Sequence, residues 1–205
     1  MIDYDELLRD IAERVGAERS QASMARVRVT SRLDAFIESS ASESLSGDLV
    51  VARLYAALDG CGLQRTATQR MFHRKFVEAS LPHVYGKAVF GKFKDRILGS
   101  HGILADKYNQ YTLISTPRRW GKTTSVAMFV AAMLFTVPSA WISVFSTGRR
   151  ASKSLADLAH KFLRKLEGDE GRTRVMVKNT EELFYAGDSP TDVRQLFSYP
   201  ATVQV

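Results

Sequence analysis

Apolar positions recur at helical spacing through most of the first hundred residues. Leu7, Leu8, Ile11 and Val15 mark a stripe that predicts helix within residues 4–39. A small, polar stretch at 38–48 reads as a linker. Asp48 is placed to cap the next helix, whose stripe is Val50, Val51, Leu54, Tyr55 and Leu58, closed by Gly60 and Gly62. A third helix is expected from Thr66 to Ala79, with Met71, Phe72, Phe76 and Val77 inward, Arg70, Arg74 and Lys75 outward, and an interruption at Pro82. "YGKAVFGKFKDRILGS" predicts another, built on Val89, Phe90, Phe93, Ile97 and Leu98.

After Gly102 the period changes. "YTLIS" reads as a short buried strand, residues 122–136 as a helix apolar on every face, and "AWISVFS" as a second strand. An amphipathic helix follows on Leu155, Leu158, Ala159, Phe162, Leu163 and Leu166, stopped by Gly168. "RVMVKN" and "ELFYA" predict a strand pair, and "ATVQV" the start of a further strand. Alternating β and α elements argue for an α/β fold with a mostly parallel sheet and helices packed on it. The expected organisation is a helical segment at 1–62 and an α/β part at 63–205, with a helical lead-in at 63–102 and a core at 103–205. The pattern stops in mid-sheet, as expected of an N-terminal piece of a longer protein.

Composition narrows the class. With 45% apolar and 25% charged residues among 205, the chain can bury a real core. It has no 18-residue apolar run and no signal-like N-terminus, so no membrane association and an intracellular setting are expected. The single cysteine, Cys61, excludes an internal disulfide. Residues 1–60 hold 7 basic and 11 acidic side chains, leaving 22 basic and 11 acidic beyond, a balance of +11 within a net +7. That asymmetry fits a polyanionic partner or a solvated basic surface.

The chemistry concentrates in "STPRRWGKTTS". Gly121, Lys122 and Thr123 fill the last three places of the phosphate-loop pattern G-x-x-x-x-G-K-[ST], while Thr116 stands where the first glycine belongs. Gly121 lets backbone N–H groups close on phosphate oxygens, Lys122 reaches the β- and γ-phosphates, and Thr123 offers a hydroxyl to Mg²⁺. The helix after the loop turns its N-terminal dipole on the anion. Thr116, Pro117, Arg118, Arg119, Trp120, Gly121, Lys122, Thr123 and Thr124 are the candidate ATP-binding residues. Either Arg118 or Arg119 can stabilise charge on a breaking phosphate bond.

"TPRRWGKTT", with a strand expected before it and an apolar helix after it, resembles the deviant phosphate loop of viral large terminase subunits, the herpesvirus type most closely. The resemblance is good from Tyr111 to Leu166, moderate from there to the C-terminus, and not visible in residues 1–60. It implies an additional-strand, RecA-like P-loop NTPase fold and an ATPase that drives double-stranded DNA into a procapsid in the host nucleus or cytoplasm. It also implies a homo-oligomeric ring working with a capsid portal and a small terminase subunit, with Arg118 and Lys122 catalytic. Two other readings stand beside it: a helicase or other nucleic-acid-dependent NTPase, and a nucleotide-binding assembly module that does not hydrolyse. The family's apolar strand ending in Asp-Glu is missing; Glu181-Glu182 sits at a hairpin turn instead. The family's nuclease domain is missing too.

Weaker candidates are Gln110 and Tyr85 as adenine contacts, and Arg149, Arg150, Lys153 and Lys161 as contacts to nucleic acid or a neighbouring subunit. Phe90 and Phe93, among Lys87, Lys92 and Lys94, read as core or as a stacking surface. His73, His83, His101 and His160 show no metal-ligand spacing and read as structural or surface residues.

Overall fold

The computed structural model describes residues 46–168, 174–179 and 181–201, all within one compact unit, Glu43–Val205. The helix expected over 4–39 and, past Ala201, the strand expected over 201–205 lie outside the described residues. Five helices and four strands are described. Helix α1 covers residues 46–60. Then come α2 (Ala67–Val84), α3 (Lys87–Ser100), a 3₁₀ turn (Ala105–Lys107) and α4 (Lys122–Thr136). They are followed by β1 (Trp141–Ser146), α5 (Arg149–Glu167), β2 (Val175–Lys178), β3 (Glu182–Ala186) and β4 (Val193–Pro200).

The sheet departs from the expected mostly parallel, RecA-like architecture. Its order is β1-β4-β3-β2, and only β1 and β4 run parallel. The β2–β3 and β3–β4 pairs are antiparallel. The cause is local: the connections after β2 and β3 are too short to hold a crossover helix, so each must reverse the chain. The sequence pattern also misses β4, because its inward positions are Arg194, Leu196 and Ser198, two of them polar.

The predicted strand "YTLIS" is not one. Residues 111–117 belong to no strand or helix, and Tyr111 and Leu113 are 91% and 99% exposed. Apolar, β-branched composition favours extended chain, but a strand also needs a ladder partner. Among the described residues β1 lies at the sheet edge with its outer side unpaired, and this segment does not dock there. Pro82 does not interrupt α2, since it falls in the last turn of that helix. Asp48 lies within α1 rather than capping it, and its carboxylate accepts a hydrogen bond from the Tyr85 hydroxyl.

The core joins Val51, Leu54 and Leu58 of α1, Val77 and Leu81 of α2, Ile97 and Leu98 of α3, most of α4, and the inner sheet positions Leu183, Tyr185 and Leu196. A fully buried leucine such as Leu54 or Leu196 contributes roughly 1.5–3 kcal/mol. Helices α4 and α5 pack on each other and on β4. The opposite face of the sheet carries an aromatic ladder: Trp141 lies 5.9 Å from Phe197, Phe145 lies 6.1 Å from Tyr199, and Phe184 lies 5.9 Å from Phe197.

Arg194, 0% exposed, ties the layers together. Its Nη1 donates to the carbonyls of Leu134 (3.0 Å) and Phe135 (2.6 Å) in the last turn of α4. Its Nε and Nη2 donate to Asp192 at 3.1 and 2.7 Å. Asp192 also accepts from the Ser139 N–H at 2.6 Å, in the turn from α4 to β1, where Ser139 adopts φ 51°. A cation on the carbonyl end of a helix meets the negative end of its dipole, so charge and geometry agree.

Burial alone would raise the Asp192 pKa. The hydrogen bonds from Arg194 and Ser139, with the Arg194 charge, hold it net below its ordinary value. A depressed carboxylate stabilises the fold above the unfolded pKa and loses that contribution as pH falls through the folded one. Asp192→Ala strips buried Arg194 of its nearer carboxylate, leaving only Asp188 at 3.4 Å, and is expected to cost about 3 kcal/mol in urea unfolding at pH 7. The gap between wild type and variant should narrow as the titration is carried below pH 4. Replacing both partners, as Asp192→Leu with Arg194→Met, should recover most of the loss.

Candidate functional site

The loop opens in extended, exposed chain and closes at the first turn of α4. Gly121 takes the N-cap position at φ 92°, ψ 30°, a left-handed conformation that disfavours any Cβ. Arg119 is left-handed too, at φ 63°, which an arginine adopts at a cost of about 1–2 kcal/mol. Thr116 and Pro117 supply no such freedom, so Arg119 and Gly121 carry the turning of the chain.

No side chain caps α4. Its first backbone bond runs from the Ser125 N–H to the Gly121 carbonyl at 2.9 Å, which leaves the N–H groups of Lys122, Thr123 and Thr124 ahead of the ladder. The Lys122 ammonium donates to the carbonyls of Thr116 (3.1 Å) and Pro117 (3.3 Å), so it reaches back across the loop. The Thr116 hydroxyl is buried without a hydrogen-bond partner. Arg118 and Arg119 are exposed, and no carboxylate pairs with either among the described residues. No Asp or Glu occurs between Asp106 and Asp157, so the segment around the loop carries basic charge alone.

Helix α2 supports the loop from behind. Trp120 sits 5.3 Å from Phe72, which stacks on Phe76 at 4.6 Å. Gln69 completes a capping box with Thr66 and lies beside Gly121, where an added Cβ would approach its Nε2 to 3.4 Å. His73 reaches the Ser125 carbonyl at 2.9 Å. This support is what the sequence reading missed. The available signal was that residues 69, 72, 73 and 76 recur at i, i+3, i+4 and i+7, one helical face.

The two ends of α4 are placed by its neighbours. The Leu134 and Phe135 carbonyls meet Arg194 near the start of β4, while the first turn of α5 meets the far part of that strand, where Ser198 Oγ donates to the Ser152 carbonyl at 3.0 Å. The loop is thus at the end of α4 remote from Arg194 and the start of β4.

The other candidates scatter. Tyr85 is buried and hydrogen-bonded to Asp48 and to His101 (3.0 Å), which occupies its hydroxyl. Gln110 lines a separate cavity of about 300 Å³ with Phe76, His83 and Thr112. Arg150, Lys153 and Lys161 line a shallow groove of about 400 Å³ along α5, and Arg149 lies 3.9 Å from Glu181. Phe90 is buried, 5.5 Å from Tyr108, and the Lys92 ammonium lies over the Phe93 ring at 5.0 Å. Burial pushes the Cys61 thiol up to about 11, which makes it a poor nucleophile. No group of three or more His, Cys, Asp and Glu poised for a metal occurs among the described residues. None of their helices is long and apolar enough to cross a membrane.

The chain matches no protein-family model and no curated protein sequence.

Only two tryptophans occur, so Trp141→Phe makes Trp120 a single reporter on the loop. Trp141 is 73% exposed, while Trp120 is half-buried on Phe72. Acrylamide should therefore quench the emission of the Trp141→Phe protein less than that of Trp120→Phe. Adding Phe72→Ala to Trp141→Phe should raise quenching and shift the Trp120 emission to the red.

Proposed function

We propose that the loop from Thr116 to Thr124 binds the phosphates of ATP, and that this chain is the ATP-binding part of a DNA-packaging motor of the viral large terminase type. The observation that carries the reading is the closure of the loop on itself. Gly121 turns the chain at the start of an uncapped helix, with the Lys122 ammonium parked on the Thr116 and Pro117 carbonyls. A phosphate at the helix N-terminus gives the free N–H groups their acceptor and draws Lys122 off those two carbonyls. The orphaned Thr116 hydroxyl and the lack of Asp and Glu from residues 107–156 of the sequence add to the case. The mixed sheet adds nothing to it; the loop carries it alone.

In this reading Lys122 neutralises β- and γ-oxygens, and Arg118 stabilises the charge that grows as water displaces ADP from the γ-phosphorus. Both side chains are exposed. The exposed Thr123 hydroxyl is a candidate donor for Mg²⁺, but no carboxylate joins it among the described residues, so no step is assigned to the ion. The partners that follow are double-stranded DNA, a capsid portal, a small terminase subunit and further copies of the chain in a ring. The setting that follows is the host nucleus or cytoplasm, at a procapsid.

Titration of the Trp141→Phe protein with ATP is expected to change Trp120 emission. Lys122→Ala should weaken binding tenfold or more. Arg118→Ala should leave binding within about threefold and lower turnover of radiolabelled ATP by roughly 10³-fold, the scale of a lost arginine finger. Wild-type protein that binds no ATP at millimolar concentration ends the reading. Binding without hydrolysis in either protein would assign the loop to a nucleotide-dependent assembly module instead.

A further inference from the structure

His73 is fully buried in α2, and both of its ring nitrogens are engaged. The Ser125 carbonyl, 2.9 Å from Nε2, can only accept, so Nε2 carries the hydrogen and donates. Nδ1 is then bare and faces the Arg65 guanidinium, which can only donate, at 3.4 Å. Arg65 is 8% exposed and is anchored in turn by Asp59, whose Oδ1 accepts from Nε at 3.2 Å. One chain of contacts thus runs from the end of α1 through Arg65 and His73 to the first turn of α4, and it selects one neutral tautomer. Burial lowers the His73 pKa, and the Arg65 charge acts in the same direction against the Ser125 bond.

A histidine that merely filled space would make no such bond to a helix carbonyl three residues past Lys122. The face of α2 that holds His73 also holds Phe72 against Trp120 and Gln69 beside Gly121. The contact therefore acts on the turn whose N–H groups open toward the loop.

We propose that His73 is a positioning residue: Asp59, Arg65 and His73 set the first turn of α4 through the Ser125 carbonyl, and so aim the Lys122–Thr124 N–H groups and the Lys122 ammonium at a bound phosphate. Its effect on affinity rests on the ATP reading above; its effect on the turn does not.

Two measurements on the full chain separate the parts: amide hydrogen exchange across residues 121–126, and ATP titration by Trp120 emission. His73→Leu keeps apolar volume and removes the bond, whereas His73→Gln retains an N–H donor and an acceptor for Arg65. With His73→Leu, exchange in this turn should rise about tenfold and ATP affinity fall about tenfold, the scale of one lost buried hydrogen bond. His73→Gln should restore both to within about threefold. Asp59→Asn, at the largely exposed end of the chain, should move both in the same direction by about threefold, and it serves if His73→Leu does not fold. Unchanged exchange in His73→Leu, or His73→Gln no better than Leu in folded protein, overturns the proposal. Wild-type protein that fails to bind ATP while the exchange pattern holds overturns the ATP reading alone.

Discussion

The burial of the Arg194 guanidinium is the constraint on which the rest of this structure depends. A charge with no access to water must be matched on every side, and this one is met by the Asp192 carboxylate, more distantly by Asp188, and by the carbonyls of Leu134 and Phe135. Those carbonyls end α4, Asp192 holds the turn that leaves it, and Arg194 sits in β4. The end of α4 with its exit turn and the start of β4, distant in sequence, are thereby fixed at one point. The apolar core supplies most of the stabilisation, but it is indifferent to small slides of one greasy surface over another.

That indifference matters most for α4. From Ala127 to Leu134 every side chain is buried, so no amphipathic stripe specifies its rotation. Polar contacts at its two ends supply the missing information: Arg194 at the carbonyl end and His73 at the first turn. The interior of α4 is generic packing, and the loop is held by what binds its helix at the ends. A chain that grips an anion at a helix N-terminus gains from this arrangement, because the donors must point at one place.

How much of this was legible follows from which forces leave a pattern. The helices from 46 onward, β1 and the β2–β3 hairpin all show in the spacing of apolar residues, because each buries one face or all faces in the ordinary way. β4 did not show, since Arg194 and Ser198 occupy inward positions and only their partners, far away in sequence, make that tolerable. "YTLIS" erred in the other direction: its composition favours a strand, but pairing is a property of two segments, and composition describes one. The mostly parallel sheet failed for the same reason, because strand direction depends on connections whose lengths were legible and whose partners were not. The loop itself was legible as a motif. Its support by Phe72, His73 and Gln69 was visible only as an unremarked helical face.

The loop's departure from the common pattern acquires a physical meaning in this frame. A glycine at position 116 would let the chain turn early; Thr116 and Pro117 carry it onward, and the turn falls on Arg119 and Gly121. A non-glycine residue in the left-handed region is retained only where its surroundings hold it, and the Trp120 ring against Phe72 supplies that hold one residue later. Strain at Arg119 leaves the arginine pair exposed beside the uncapped helix rather than folded onto an acidic neighbour, of which this stretch has none. Sequence, backbone and charge agree on an exposed cationic loop braced by α2 through Trp120 and Phe72. In the proposed reading, a phosphate is the acceptor that the Lys122, Thr123 and Thr124 N–H groups lack within the helix.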